Sequence, residues 1–289
     1  MKLFIVKTST AEHLVKKLKK QKQLVEVIFP EKNKEDSRLF PDGEVYIRIS
    51  QAEKLKKGRV VVLHSGSPRP NEGLVELEMV LQILKDDKVA PEVFFTYFPY
   101  GQQDKIFMEG EINMAESLIR KLVNYYGVRK IYVIDPHFGK EKWLKEYPVT
   151  ALSAVPLLVK KARGDLGNNI LFLSPDKGGK RRTGICGVKK ERIDSFRVEM
   201  SSQEINIKNE TVAVVDDIIE TGGTLLRFND YIKKCGAKKI IVLATHGVLK
   251  SGVEKTKKTF SGLYLTNTIN QKEANIDISD LILKNILKK

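Results

Sequence analysis

Short apolar runs alternate along this chain with longer amphipathic stretches, and that alternation restricts it to an α/β fold with largely parallel sheets. Runs of strand length fall at residues 3–6, 25–29, 45–49, 59–63, 93–97, 130–134, 169–173, 211–215 and 239–245. Helical spacing is predicted over residues 11–19, 71–86, 114–126, 154–162 and 224–234. A short amphipathic helix is expected over residues 279–287, where Leu281, Ile282, Ile286 and Leu287 are apolar. One continuous sheet of this many strands exceeds the usual single-core domain, whereas 289 residues suffice for two. Residues 59–63 and the turn His64-Ser65-Gly66-Ser67 resemble residues 170–173 and their turn, and the two halves are expected to break near Tyr147-Pro148. The expected domains are thus 1–147 and 148–275, with residues 276–289 as a terminal helix predicted to pack back on the first.

The second half holds the most specific segment, Val214-Val215-Asp216-Asp217-Ile218-Ile219-Glu220-Thr221-Gly222-Gly223-Thr224-Leu225. A buried strand ends in two adjacent carboxylates, a Thr/Gly turn follows, and a helical pattern begins. Thr221, Gly222, Gly223 and Thr224 are therefore expected at a helix N-terminus, where unpaired N–H groups and the helix dipole favour a phosphate. Glycine lets backbone approach an anion closely and adopt positive φ. Asp216 and Asp217 beside such a site suit sugar hydroxyls or a magnesium ion. The segment by itself proposes a phosphorylated sugar as ligand. In the first half, Asp135-Pro136-His137-Phe138-Gly139 after residues 130–134 is expected to occupy the corresponding place.

Bulk properties exclude several other classes. The net charge of +15 is spread along the chain as lysine pairs, without zinc-finger spacing, an RNA-binding aromatic signature or a basic zipper. No specific nucleic-acid partner is expected, because diffuse charge supports only non-specific binding. No stretch approaches the ~18 apolar residues of a membrane span, so no membrane partner is expected. Cys186 and Cys235 lack metal-type spacing, and a reducing cytoplasm fits them.

Other segments carry chemistry less specifically. Phe40-Pro41-Asp42-Gly43-Glu44 reads alone as a Pro-Asp-Gly turn. Tyr97-Phe98-Pro99-Tyr100-Gly101-Gln102-Gln103-Asp104-Lys105 closes a strand with aromatic and amide groups that suit either a nucleobase or an interface. His137, beside Asp135 at the end of a strand, lies where ligands gather in open α/β sheets. Ser174-Pro175-Asp176-Lys177-Gly178-Gly179 is another strand-end turn, followed by Lys189-Lys190-Glu191-Arg192. Residues 192–207 have a weak core pattern and read either as a basic loop closing over a phosphate site or as a solvated charge run.

Taken in order, these motifs resemble the ribose-phosphate pyrophosphokinases, over nearly the whole chain. The resemblance implies two tandem type I phosphoribosyltransferase-like domains, each a mostly parallel sheet flanked by helices. It also implies a reaction in which magnesium-ATP gives its diphosphoryl group to the 1-hydroxyl of ribose 5-phosphate. Ribose 5-phosphate would then be held by Asp216, Asp217, Glu220, Thr221, Gly222, Gly223 and Thr224. ATP would be held by Phe40, Asp42, Glu44, Gln102, Gln103 and Asp104, the Phe40 loop reaching the nucleotide of a neighbouring subunit. That arrangement requires a homo-oligomer, at least a dimer. His137 and Asp176 would lie by Mg2+, and Lys190 and Arg192 would stabilise the transition state as catalytic residues. The family usually reads Tyr-Ala-Arg-Gln-Asp where this chain reads Tyr100-Gly101-Gln102-Gln103-Asp104. Gln102 thus removes a stacking cation, and Lys105 stands nearby as a point-charge replacement. A phosphoribosyltransferase and a non-catalytic synthetase-like regulatory subunit are the alternative functions.

Overall fold

The computed structural model describes residues 2–19, 25–175, 189–192, 198–201 and 207–288. The chain divides into two compact units, Met1–Leu152 with Ser279–Lys289, and Ser153–Ile278. Among the described residues, no helix is long and apolar enough to cross a membrane.

The first unit is built on six strands: β1 (Lys2–Lys7), β2 (Val25–Ile28), β3 (Gly58–Ser65), β4 (Glu92–Tyr97), β5 (Lys130–Ile134) and β6 (Val149–Leu152). They form one sheet in the order β2-β1-β3-β4-β5-β6, and every ladder is parallel. A parallel sheet is covered on both faces, which is why Val60, Val61, Val62 and Leu63 of β3 are consecutive, apolar and buried. The helices α1 (Val15–Leu18) and α2 (Ala52–Leu55) are single turns. The longer α3 (Pro70–Asp86) and α4 (Met114–Asn124) lay Leu77, Val80, Leu81, Leu118 and Leu122 against Val60, Val62, Val93 and Phe95. Proline at the first position starts α3, and the Asn113 side chain caps α4 by accepting the Glu116 N–H.

The second unit carries β7 (Leu171–Leu173), β10 (Thr211–Ile219), β11 (Lys239–Gly247) and β12 (Gly262–Leu265) as a parallel sheet ordered β12-β11-β10-β7. Between β7 and β10, β8 (Lys189–Arg192) and β9 (Val198–Ser201) pair antiparallel. The helices are α5 (Val155–Leu166), α6 (Gly223–Lys234) and α7 (Lys250–Thr259). Strand alternation divides the core. Val212 and Val214 of β10 meet Leu225, Phe228 and Ile232 of α6 on one face, while Ala213 and Val215 meet Val155, Leu158 and Ala162 of α5 on the other. The C-terminal helix α8 (Ser279–Ile286) belongs to the first unit, where Arg59 donates to the Ile286 carbonyl.

The fold is α/β with parallel sheets flanked by helices, as expected, but several local expectations fail. Residues 45–49 form no strand; that region makes only the isolated bridges Leu39↔Val45 and Glu31↔Arg48, because no ladder partner lies alongside. The division falls after Leu152 instead of Tyr147, since β6 pairs with β5 and so belongs to the first sheet. Of the expected match between halves, the pairing of residues 59–63 with 170–173 holds, and the place given to Asp135-Pro136-His137 is overturned. The order β3-β4-β5-β6 corresponds to β7-β10-β11-β12, so β4 is the counterpart of β10. Residues 98–104 after β4, not Asp135-Pro136-His137 after β5, therefore occupy the place of the Thr/Gly turn. Asp135-Pro136-His137 corresponds to Ala244-Thr245-His246 at the end of β11.

Candidate active site

In the second unit, β10 delivers Asp216 and Asp217 to the carboxyl edge of the sheet, both buried. The Asp217 N–H donates to Asp216 Oδ1 at 3.0 Å, which folds the first carboxylate back over the strand end. The chain then turns at Glu220 and Thr221, both exposed, and enters α6 through Gly222. Gly222 has φ +75° and ψ 0°, a left-handed conformation that costs an L-residue roughly 1–2 kcal/mol. The Gly223 N–H donates to Thr221 Oγ1 at 3.3 Å and the Leu226 N–H to the Gly222 carbonyl at 3.0 Å. Thr221, Gly222, Gly223 and Thr224 are thereby gathered at the positive end of a twelve-residue helix. The edge is completed by the loop after β11, whose Val248 N–H donates to the Ile219 carbonyl at 2.8 Å.

In the first unit, the segments expected to meet ATP lie after β4 and β5 on the carboxyl edge. Phe98 packs edge-on to Phe138 with centroids 4.9 Å apart, and Phe138 stacks on Trp143 at 5.4 Å. Trp143 Nε1 donates to the Asp104 carbonyl at 3.4 Å. These contacts tie Phe98 and Asp104, after β4, to Phe138, the residue that follows the Asp135-Pro136-His137 turn. Tyr100 has φ +56°, and the Ala115 N–H donates to the Gln103 carbonyl, tying the segment to α4. The Asp104 side chain is buried, Gln102 and Gln103 are exposed, Asp135 is buried with φ +36°, and His137 is half-buried. Lys105 Nζ lies 3.1 Å from Glu141.

Phe40, Asp42 and Glu44 occupy an exposed tight turn. The Phe40 N–H donates to the Glu44 carbonyl, the Gly43 N–H to the Phe40 carbonyl, and the Glu44 N–H to Asp42 Oδ1. Gly43 takes φ +92°, and Phe40 remains 43% exposed while touching Tyr46 edge-on. Lys190 and Arg192 occupy alternate positions of β8, paired with Met200 and Val198. Asp176, expected beside the metal, lies outside the described residues.

Residues 187–278 match the family model described as the phosphoribosyl transferase domain. The chain is 31% identical to a ribose-phosphate pyrophosphokinase of Pyrococcus abyssi, over 98% of both chains. It is 32% identical to one of Pyrococcus furiosus, over 95% of this chain and 97% of the relative. The chain belongs to the ribose-phosphate pyrophosphokinase family. A crystal structure of phosphoribosylpyrophosphate synthetase from Mycobacterium smegmatis shares the fold, with a TM-score of 0.82 over 99% of this chain and 98% of that one, at 21% identity. The two units are thus the frame of a ribose-phosphate pyrophosphokinase, an enzyme. The Thr/Gly turn of β10 lies within the matched domain.

What sequence reasoning missed is α7. Its ten residues are mostly polar, and only Gly252, Val253 and Thr256 are buried, too few for a helical stripe to stand out. Yet α7 packs directly against the 220–222 turn, through Gly252 and Thr256. A glycine and a threonine spaced four apart in a lysine-rich stretch were the available signal.

Proposed function

We propose that this enzyme transfers the β,γ-diphosphoryl group of Mg-ATP to the 1-hydroxyl of ribose 5-phosphate, forming 5-phosphoribosyl 1-pyrophosphate and AMP. The observation that carries the reading is the junction of buried Asp216 and Asp217 with left-handed Gly222 and the start of α6. It offers acceptors for sugar hydroxyls beside a cationic helix end for the 5-phosphate. In the transfer, the 1-hydroxyl oxygen bonds to the β-phosphorus, the bond from that phosphorus to the α,β-bridging oxygen breaks, and AMP leaves. The hydroxyl proton passes to solvent.

Little covalent work falls to the protein, and positioning with charge neutralisation carries catalysis. Asp216 and Asp217 hold the ribose hydroxyls, while Glu220, Thr221, Gly222, Gly223 and Thr224 surround the 5-phosphate. Gln102, Gln103 and Asp104 take the nucleotide against the aromatic cluster. Phe40, Asp42 and Glu44, exposed on their turn, suit a nucleotide held by a second copy of the chain, so the working enzyme is at least a dimer. Lys190 and Arg192 neutralise charge as the diphosphoryl group moves.

Mg2+ is the proposed cofactor. Among the described residues no three His, Cys, Asp or Glu side chains converge as a metal cage. Mg2+ typically keeps several waters and takes one or two carboxylates plus substrate phosphates. His137 and Asp176 would hold it. The ion would supply charge neutralisation on the polyphosphate.

The reading is tested by incubating the protein with Mg2+, ATP and ribose 5-phosphate and separating the nucleotides. AMP that appears only when ribose 5-phosphate is present is expected. ADP as the nucleotide product would replace the reading with ordinary γ-transfer. Binding of ribose 5-phosphate without turnover would favour a regulatory subunit.

A further inference from the structure

Gly252, the third residue of α7, leaves no room for a side chain. A Cβ there would stand 1.6 Å from the Glu220 carbonyl oxygen, 2.6 Å from its carbon and 3.0 Å from the Thr221 carbonyl carbon. All three are backbone atoms, which cannot swing aside. Gly252 sits in ordinary helical conformation, where alanine is the better helix former, so backbone freedom is not what its glycine supplies. What it supplies is close approach of one backbone to another.

The contact is reciprocal. A Cβ on Gly222 would lie 3.2 Å from Thr256 Oγ1 and 3.3 Å from the Gly252 carbonyl oxygen. Thr256 is fully buried and donates to that same carbonyl at 2.8 Å, which fixes its hydroxyl against the turn. The connection into α7 adds a second hold, the Val248 N–H donating to the Ile219 carbonyl at 2.8 Å. The 219–222 segment is therefore held by α7 and by the residues that lead into it.

We infer that Gly252, supported by Thr256, is a positioning residue for the ribose-phosphate site: α7 sets where Gly222 turns into α6 and so where the first N–H groups of α6 point. This rests on the proposed role of the 220–224 turn. Small displacements of such donors are costly because an anion site depends on several N–H groups converging at once. Gly252 touches no substrate itself. Its effect is confined to ribose 5-phosphate, since the residues that take ATP through the aromatic cluster belong to the first unit.

The test compares full-length wild type with Gly252→Ala, Thr256→Val and Thr256→Ser. Calorimetric binding of ribose 5-phosphate is measured first, then KM for both substrates and Tm. Gly252→Ala is expected to weaken ribose 5-phosphate binding and raise its KM by tenfold or more, with KM for ATP within twofold of wild type. Thr256→Val is expected to give a severalfold change in the same direction, with Thr256→Ser restoring wild-type values. If Gly252→Ala does not fold, the Thr256 pair decides. Unchanged ribose 5-phosphate binding in folded Gly252→Ala would overturn the inference, as would equal losses toward both substrates or a Thr256→Ser as impaired as Thr256→Val. If wild type itself fails to bind ribose 5-phosphate, the proposed site falls and this inference with it.

Discussion

The Thr8 hydroxyl lies 2.9 Å from Nδ1 of His64, whose imidazole projects from β3 and is wholly buried against Gly73 of α3 and Phe95 of β4. Among the described residues its Nε2 has no hydrogen-bond partner, and burial holds its pKa down to about 3, against 6.5 for an ordinary histidine. The neutral ring is the form the fold accepts. Since the folded value lies below the unfolded one, the stability contribution is complete above pH 6.5 and is lost as pH falls toward 3. Each pH unit in that window costs about 1.4 kcal/mol. His64→Asn should therefore flatten the loss of stability between pH 7 and pH 5 by about 2 kcal/mol. Urea unfolding followed through Trp143, the single tryptophan and a first-unit residue, reads this directly. An unchanged slope would remove His64 as the titrating group.

Arg59 grips Glu92 with both arms of its guanidinium, at 2.7 and 2.6 Å, and donates to the terminal carbonyl of α8. Removing one partner of a largely buried pair leaves the other uncompensated. Arg59→Ala should destabilise the first unit by about 3 kcal/mol. Arg59→Met with Glu92→Leu should recover most of that loss. Urea midpoints of the three proteins give the answer, and a double variant as weak as the single one would contradict it.

Gly222→Ala places a Cβ on a residue with φ +75° and 3.2 Å from Thr256 Oγ1. The strain is expected to cost about 1–2 kcal/mol of stability in the second unit. Binding of ribose 5-phosphate should fall with it, as calorimetry would register. Gly43, also at positive φ but with open space around it, is the control: Gly43→Ala should cost stability alone and leave ribose 5-phosphate binding intact.

Gln102 stands exposed at the position where the resemblance leads one to expect arginine, and Lys105 pairs with Glu141. Gln102→Arg is expected to lower KM for ATP about fivefold, equivalent to ~1 kcal/mol of added cation contact. KM for ribose 5-phosphate should not move. Steady-state kinetics with each substrate varied in turn separates the two.

The parts of this protein that were legible in its sequence are those whose local chemistry and buried position agree. The β10–α6 junction declares itself because an apolar run, two acids, two glycines and a helical stripe must coincide. The edge strands β6 and β12 escaped because they are four residues long and partly exposed, so neither apolar continuity nor alternation develops. Residues 45–49 misled for the opposite reason: they read as an apolar run but join no ladder. The correspondence between halves was available in the letters, since residues 127–137 (GVRKIYVIDPH) parallel residues 236–246 (GAKKIIVLATH). Matching turns by chemistry instead of strands by pattern obscured it. Gly252 was invisible because its reason is another backbone, 32 residues earlier in the chain, that comes to lie against it.

The most direct test of the account follows ATP and ribose 5-phosphate labelled with carbon-13 at C1 by phosphorus NMR, with wild type and Lys190→Ala side by side. Wild type should produce AMP together with a diphosphoryl signal coupled to C1. Lys190→Ala should slow that signal by about 100-fold or more, at unchanged Tm, as lost transition-state charge neutralisation does. Formation of ADP with a single phosphoryl group on C1 would contradict the diphosphoryl transfer on which the account rests.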